Sequence, residues 1–311
     1  GGRGMAIIND EPALREYLAS HDSELLFSRG PLLIDRFLDA AIEIDVDALY
    51  DGEELFMGAI MEHIEEAGIH SGDSACCYPP FSLSDAIVGR VREITRRLAL
   101  AVGVRGPLNI QYAVKDEQVL VIEMNPRASR TVPFSSKATG VPLASFASRI
   151  MAGETIASLR DSGELPEEGR DVGRFAVKEA VMPWSRFPGA DSVLGPEMKS
   201  TGEVMGIDAT FPVAYAKTRQ AIDYKLPRAG RVFVSVCDRD KRAIAPVAMA
   251  LVGLGYQLVA TAGTAKTLRA AGLACEVTKR LSEGHPNIVD EIEGGDIAFI
   301  INTPQGNGAR G

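Results

Sequence analysis

The sequence predicts a mixed α/β chain, with an α+β portion first and a parallel-sheet domain after it. Three stretches of the 311 residues carry that prediction. Two short apolar runs, 108–114 and 119–124, flank the polar segment 115–118 and read as a β-hairpin. Ile87, Val91, Ile94 and Leu98 recur at helical spacing within 84–102, where Ser84 can cap the first turn. Beyond residue 229, strands at 231–236, 257–261, 275–277 and 297–301 alternate with helices at 243–254 and 264–271. That rhythm implies parallel strands with flanking helices. The charged stretch 217–229 separates the two parts. The expected division is therefore 1–150, then 151–228 completing the first unit and forming a linker, then 229–311.

Composition narrows the class. Hydrophobic residues make up 46% of the chain, enough for substantial cores. A net charge of −9 supplies no basic field, which argues against non-specific nucleic-acid binding. No apolar run approaches the length of a membrane span, and the N-terminus lacks a signal-peptide layout. A cytoplasmic protein without membrane or nucleic-acid partners is expected. Cys76, Cys77, Cys237 and Cys275 show no CxxC spacing and read as reduced thiols, the adjacent pair as packing residues. The chain opens on GGRGM and closes on the polar run INTPQGNGARG, so both ends read as cuts through a longer polypeptide.

Taken in order, Gly1 to Met5 form a glycine-rich turn whose amides could approach a phosphate. Residues 11–19 read as a short helix capped by Asp10. PLLIDRFL, 31–38, reads as a strand. Residues 42–47 alternate strictly, with Ile42, Ile44 and Val46 on one face and Glu43, Asp45 and Asp47 on the other. Such a carboxylate row is either solvated or turned toward cations and hydroxyls, and the pattern leaves both open. A further strand runs over 55–64. Glu62 and His63 belong to no HExxH motif, and His63 and His70 read as satisfied structural histidines. Arg90, Arg92, Arg96 and Arg97 form the solvated side of the long helix, and Gly106-Pro107 breaks the chain before the hairpin. Residues 131–140 read as a loop leading to a helix through 150, and 153–170 as acidic and loop-rich. A strand is expected over 176–183 and a turn-rich segment over 194–206.

The hairpin is the candidate site. Asn109, Gln111 and Ala113 share one face of its first strand, and Val121, Glu123 and Asn125 one face of its second. If Gln111 lies opposite Glu123, then Gln111, Glu123 and Asn125 form an oxygen-rich cluster suited to Mg²⁺ or Mn²⁺. Arg127 and Arg130 follow at once and could hold phosphate oxygens. Spacing alone equally allows an ordinary exposed strand face.

The run QYAV, followed by VIEMNPRASRTVPFSSKATGVP, resembles the metal and nucleotide strands of the ATP-grasp ligases. Among these it is similar to the large-subunit family of the glutamine-dependent carbamoyl phosphate synthetases, and the likeness extends over essentially all 311 residues. The resemblance implies an ATP-grasp portion lacking its N-terminal lobe, then a methylglyoxal-synthase-like allosteric domain that is incomplete at its C-terminus. The implied reaction is phosphorylation of carbamate by MgATP, in arginine and pyrimidine biosynthesis. Glu123 and Arg127 match catalytic positions. Arg36, Leu38, Glu43, Gly68, Ile69, His70, Ser71, Gln111 and Glu123 match the ATP site, and Gln111, Glu123 and Asn125 the metal ligands. An ionised Glu43 would accept the ribose hydroxyls. Glu65, Asp73, Glu179 and Leu194 match contacts of an ornithine-like activator.

In the second domain the run 261–267 is not a P-loop, because GxxxxGK spacing is absent. Its threonines either bind an anion or merely cap a helix through Thr264, and the residues alone leave both open. The resemblance implies an effector site for a UMP- or IMP-like nucleotide, with Ser235, Lys241, Thr261 and Thr264 at the phosphate, and Asn302 and Thr303 at the nucleoside. Lys279-Arg280 stand where the family pattern can have Lys, and Pro304 where a second Thr can follow, so effector identity is open. A glutaminase small subunit and an oligomeric state are the implied partnerships. Two alternatives stand beside this reading: a catalytically silent regulatory piece, and another ATP-grasp ligase such as a biotin-dependent carboxylase. The βαβ domain argues against the second.

Overall fold

Strict alternation of apolar and acidic residues builds the central strand of the first unit. The computed structural model describes residues 5–19, 33–38, 40–167, 173–187, 189–222 and 224–303. The glycine-rich run 1–4 and Pro304 lie outside these described residues. Backbone contacts divide the chain into Gly1–Tyr224 and Lys225–Gly311.

In the first unit β1 (Ile42–Tyr50) pairs on both sides, with β2 (Leu55–Glu66) and with β4 (Gly106–Lys115). β3 (Cys76–Tyr78), β5 (Gln118–Asn125), β6 (Phe175–Val181) and β7 (Gly202–Asp208) complete an antiparallel sheet in the order β5-β4-β1-β2-β3-β6-β7. The segment beyond 150 thus supplies two strands to the same sheet. One face presents Ile44, Val46, Leu108, Ile110 and Tyr112 to Ile87 and Val91 of α2 (Asp85–Val102). Ser84 caps that helix, accepting from the Ile87 amide, and Gly103 ends it in the left-handed conformation. Ahead of the sheet, α1 (Glu11–Ala19) is capped by Asp10, whose Oδ1 accepts from the Ala13 amide at 2.8 Å.

The opposite face carries α3 (Val132–Thr139), α4 (Leu143–Met151) and the short α5 (Ile156–Asp161). Phe134 and Ala138 pack there on Ala59, Met61 and Cys76. Leu143, Phe146 and Ile150 cluster with Leu49 and Phe56. The loop expected over 131–140 is therefore helix. Pro133, which reads as a breaker, sits in the first helical turn, where its missing N–H costs nothing, and Gly140 closes the helix at φ 75°. The strand expected over 31–38 is also absent from the described part, 33–38. Both edges of β1 are already taken, and Leu33, Ile34 and Phe37 stay exposed.

Where a charged linker was expected from 217, α6 (Phe211–Ala221) continues through Lys217 and packs on β6 and β7. It comes so close that a Cβ on Gly206 would lie 2.2 Å from the Ala214 carbonyl oxygen and 2.9 Å from the Thr218 amide. Gly206→Ala is accordingly expected to destabilise the first unit by roughly 2–3 kcal/mol, as an overpacked contact against backbone does. Urea unfolding followed by the single tryptophan, Trp184, reads this directly. An unchanged midpoint would contradict the packing.

The second unit is a four-stranded parallel sheet in the order β10-β9-β8-β11, from β8 (Arg231–Ser235), β9 (Gln257–Thr261), β10 (Glu276–Thr278) and β11 (Ile297–Asn302). Its central strands β8 and β9 are short apolar runs because both their faces are covered. α7 (Lys241–Gly253) and α8 (Ala262–Ala270) bury Ile244, Ala248, Ala265 and Leu268 against Val232, Val234, Leu258 and Ala260. α9 (Ile288–Glu293) sets Ile288 against Phe233 and Val259. All four cysteines are free and buried. Among the described residues no helix is long and apolar enough to cross a membrane.

Candidate active site

Register decides which side chains meet. Asp45 pairs with Gln111 and Asp47 with Asn109, while Gln111 pairs with Glu123 and Asn109 with Asn125. Directly opposed residues project to the same side, so three strands contribute Glu43, Asp45, Asp47, Asn109, Gln111, Glu123 and Asn125 to one face. The hairpin turns at Asp116 and Glu117, both at positive φ (49° and 61°), as a two-residue turn requires.

The β1 carboxylates are not a solvent face. Glu43, Asp45 and Asp47 are 4%, 2% and 1% exposed. Burial, then the Asp45 charge, pushes Glu43 up to about 8. Near neutral pH it is a protonated acid that donates as well as accepts, unlike the ionised acceptor expected from sequence. Burial and the Asp47 charge raise Asp45 as well, while Asn109 and Lys178 oppose the rise. Asn109 Nδ2 donates to Asp45 Oδ1, to Asp47 Oδ1 at 3.1 Å and to the Val46 carbonyl at 3.2 Å.

His63 lies on this face too, 3.7 Å from Glu43 and 3.9 Å from Asp45. Burial, then the Lys178 charge, lowers it to about 3, so the imidazole is neutral and these contacts are not ion pairs. Neither ring nitrogen has a hydrogen-bond partner. The satisfied structural histidine expected at this position is therefore not what stands there.

Beside the row, Gln111 Nε2 donates to Ser71 Oγ at 2.8 Å, tying loop 68–71 to the hairpin. Gly68 takes φ 111°. His70 Nδ1 accepts from the Gly72 amide at 3.0 Å, and burial lowers its pKa. Asn125 Nδ2 donates to Glu123 Oε1 at 2.8 Å. Both amide NH₂ groups are thus spent on protein acceptors. The side-chain carbonyls of Gln111 and Asn125 and the exposed Glu123 carboxylate remain as an all-oxygen donor set, which fits a hard divalent cation. Among the described residues no three His, Cys, Asp or Glu side chains are arranged to hold a metal. Arg127 and Arg130 follow on the exposed loop after β5, where Arg130 meets Met198 Sδ. Arg36 is exposed and Leu38 half-buried, in a segment without regular structure.

A second acidic group lies along β2 and β6. Glu65 Oε2 accepts from the Ala75 amide at 2.7 Å, and Glu179 Oε1 from Arg219 at 2.9 Å. Burial raises both carboxyls, and each is exposed to the Lys178 charge. Glu179 Oε2 is buried without a partner. Asp73, by contrast, is occupied by the Lys199 and Ser200 amides, and Leu194 is half-buried in the adjoining turn.

In the second unit Ser235, Thr261 and Asn302 end β8, β9 and β11, the edge where open α/β sheets bind ligands. Thr261, not Thr264, precedes α8, and its side chain makes no capping bond. Thr264 Oγ1 instead accepts from the Val236 amide at 3.2 Å, and Thr303 Oγ1 accepts from that of Cys237 at 3.0 Å. Lys241 opens α7 and pairs with Asp238, whose pKa is also lowered by Arg280.

The family described as "Carbamoyl-phosphate synthase L chain, ATP binding domain" matches residues 1–159, and the MGS-like domain family matches residues 243–311. The chain belongs to the carbamoyl-phosphate synthase large-chain family. The carbamoyl phosphate synthase large chains of Streptomyces griseus and Kineococcus radiotolerans are each 54% identical to it over its whole length. The chain spans 29% of the length of either relative. Among solved structures, the biotin carboxylase domain of thermophilic 2-oxoglutarate carboxylase bound to bicarbonate is 18% identical, with a TM-score of 0.50 over 69% of this chain and 53% of that one. That likeness speaks to the fold alone, which in the first unit is ATP-grasp-like.

Within this synthase-family chain, sequence reasoning missed His63 and Lys178 as members of the face, and gave Asn109 and Asp47 their strand faces but no role in the site. Asn109 shares the Gln111 alternation and was legible in principle. Lys178 was not, because only the β3–β6 pairing opposite Cys76 brings it there.

Proposed function

We propose that this chain is the part of a carbamoyl phosphate synthase large chain that phosphorylates carbamate with MgATP, releasing ADP. The observation that carries the reading is the β4–β5 register, which aligns Gln111, Glu123 and Asn125 beside Glu43 and the Ser71 loop, in a chain of that family. The carbamate oxygen attacks the γ-phosphorus in line. No strong base is needed, since carbamate is already an anion. Gln111, Glu123 and Asn125 would hold Mg²⁺ or Mn²⁺, which when bound neutralises charge on the phosphates. Glu43 and loop 68–71 hold the nucleoside, the covered β1 row keeps water from the reacting face, and Arg127 steadies the transferred group.

Glu65 and Glu179, with one buried oxygen free, suit the amine of an ornithine-like activator. The edge around Ser235, Thr261, Lys241, Arg280, Asn302 and Thr303 suits the phosphate of a UMP- or IMP-like effector. A glutaminase small subunit, oligomeric assembly, a cytoplasmic setting and roles in arginine and pyrimidine biosynthesis belong to the same proposal. In ammonium bicarbonate, which contains carbamate at equilibrium, MgATP added to the synthase carrying this chain should give carbamoyl phosphate and ADP. ADP formation without carbamoyl phosphate would sink the reading.

A further inference from the structure

Asp47 is 1% exposed, yet its four side-chain donors are neutral. Oδ1 accepts from Asn109 Nδ2 at 3.1 Å and from Ser129 Oγ at 2.5 Å. Oδ2 accepts from Thr131 Oγ1 at 2.8 Å and from Ser135 Oγ at 2.7 Å. A buried carboxylate held only by neutral dipoles is costly to bury, and the cost is sustained where its partners are fully committed.

Those partners come from three places. Asn109 belongs to the hairpin, Ser135 to α3, and Ser129 and Thr131 to the loop that carries Arg127 and Arg130. Thr131 precedes α3 but makes no capping bond, because its hydroxyl is turned to Asp47. Ser129 Oγ in turn accepts from the Thr131 amide at 3.1 Å and lies 2.7 Å from Thr131 Oγ1. Arg127 itself donates its backbone N–H to the Asn125 carbonyl at 2.8 Å. The arginine loop is thus pinned at one end to a proposed metal-ligand residue and at the other to Asp47.

We infer that Asp47 is a positioning residue for phosphoryl transfer, fixing the Arg127 loop against the hairpin through Ser129 and Thr131. It touches neither nucleotide nor carbamate. The inference rests on the proposed role of Arg127. In Asp47→Asn one acceptor oxygen becomes an amide donor that must face hydroxyls which had been donating to it, so at least one anchor is lost. Ser129→Ala removes one anchor but keeps the Asp47 carboxylate with its Asn109, Thr131 and Ser135 donors, and keeps the test valid should Asp47→Asn fold poorly.

Two readouts decide it. In the synthase carrying this chain, Asp47→Asn or Ser129→Ala should lower kcat for carbamate phosphorylation by ten- to a hundredfold, with KM for MgATP changed less than about threefold. Combining Ser129→Ala with Arg127→Ala should be no worse than Arg127→Ala alone, because both act through one group. In the 311-residue chain, trypsin should cut after Arg127 and Arg130 at least about tenfold faster in the variants, relative to cutting after exposed Lys225. Equal acceleration at all three sites with an unchanged kcat would mean a merely structural role and overturn the inference. A slow Arg127→Ala beside fully active Ser129→Ala would also overturn it. An unaffected Arg127→Ala would instead overturn the reading of the site itself.

Discussion

Glu123→Gln is expected to lower carbamate phosphorylation by roughly a thousandfold, about 4 kcal/mol at 1.36 kcal/mol per decade. Glu123 is the one carboxylate in the proposed metal-donor set, whose other members, Gln111 and Asn125, are neutral amides. Glutamine keeps its length and can still accept from Asn125 Nδ2, but the charge that favours a divalent cation is gone. The side chain is exposed on the edge strand β5, so folding should barely notice the change. The variant should therefore match the parent in thermal midpoint and fail in rate, while any ATP site elsewhere in the longer synthase keeps its turnover. Retained carbamoyl phosphate synthesis, or a parallel loss of fold, would contradict the assignment.

The second large effect concerns stability and pH. Glu43 is held at about 8 against an ordinary value of 4.5. Between those pH values the folded chain keeps a proton that the unfolded chain has released, so the native state binds more protons and stability falls as pH rises through the window. The contribution is fully present below 4.5 and is lost once pH passes 8. Glu43→Gln removes that titration. Thermal unfolding should show the variant more stable than the parent above pH 8, by on the order of 2–4 kcal/mol, and nearly equal to it at pH 5. A gap that does not grow with pH would contradict the buried, protonated assignment.

Much of the fold was legible because period and punctuation agree. The alternation at 42–47 gave β1 its two faces, and the apolar runs around Asp116 and Glu117 gave the hairpin, while the register shift between Gln111 and Tyr112 that sets Gln111 opposite Glu123 and takes Val121 off that face was not legible. The βαβ rhythm after 229 gave the parallel sheet. The misses have physical causes. Pro133 read as a loop signal although a first helical turn accommodates proline. Residues 33–38, the described part of PLLIDRFL, have strand-like composition, but no edge beside β1 is left for them. At the site, what lay on β1 or on β4 could be read from spacing. What depended on long-range pairing could not: Lys178 arrives across β3, His63 gains its meaning only beside Glu43 and Asp45, and Asp47 only once Ser129 and Thr131 fold back onto β1.

The central claim, that the hairpin face is a metal-dependent nucleotide site, is tested most directly by calorimetric titration of ADP into this chain with Mg²⁺ and again with EDTA, on the parent and on Glu123→Gln. The account predicts heat of binding from the parent with Mg²⁺ and its loss both in EDTA and in the variant. No Mg²⁺-dependent heat from the parent, or heat that survives chelation or the Glu123 replacement, would contradict it.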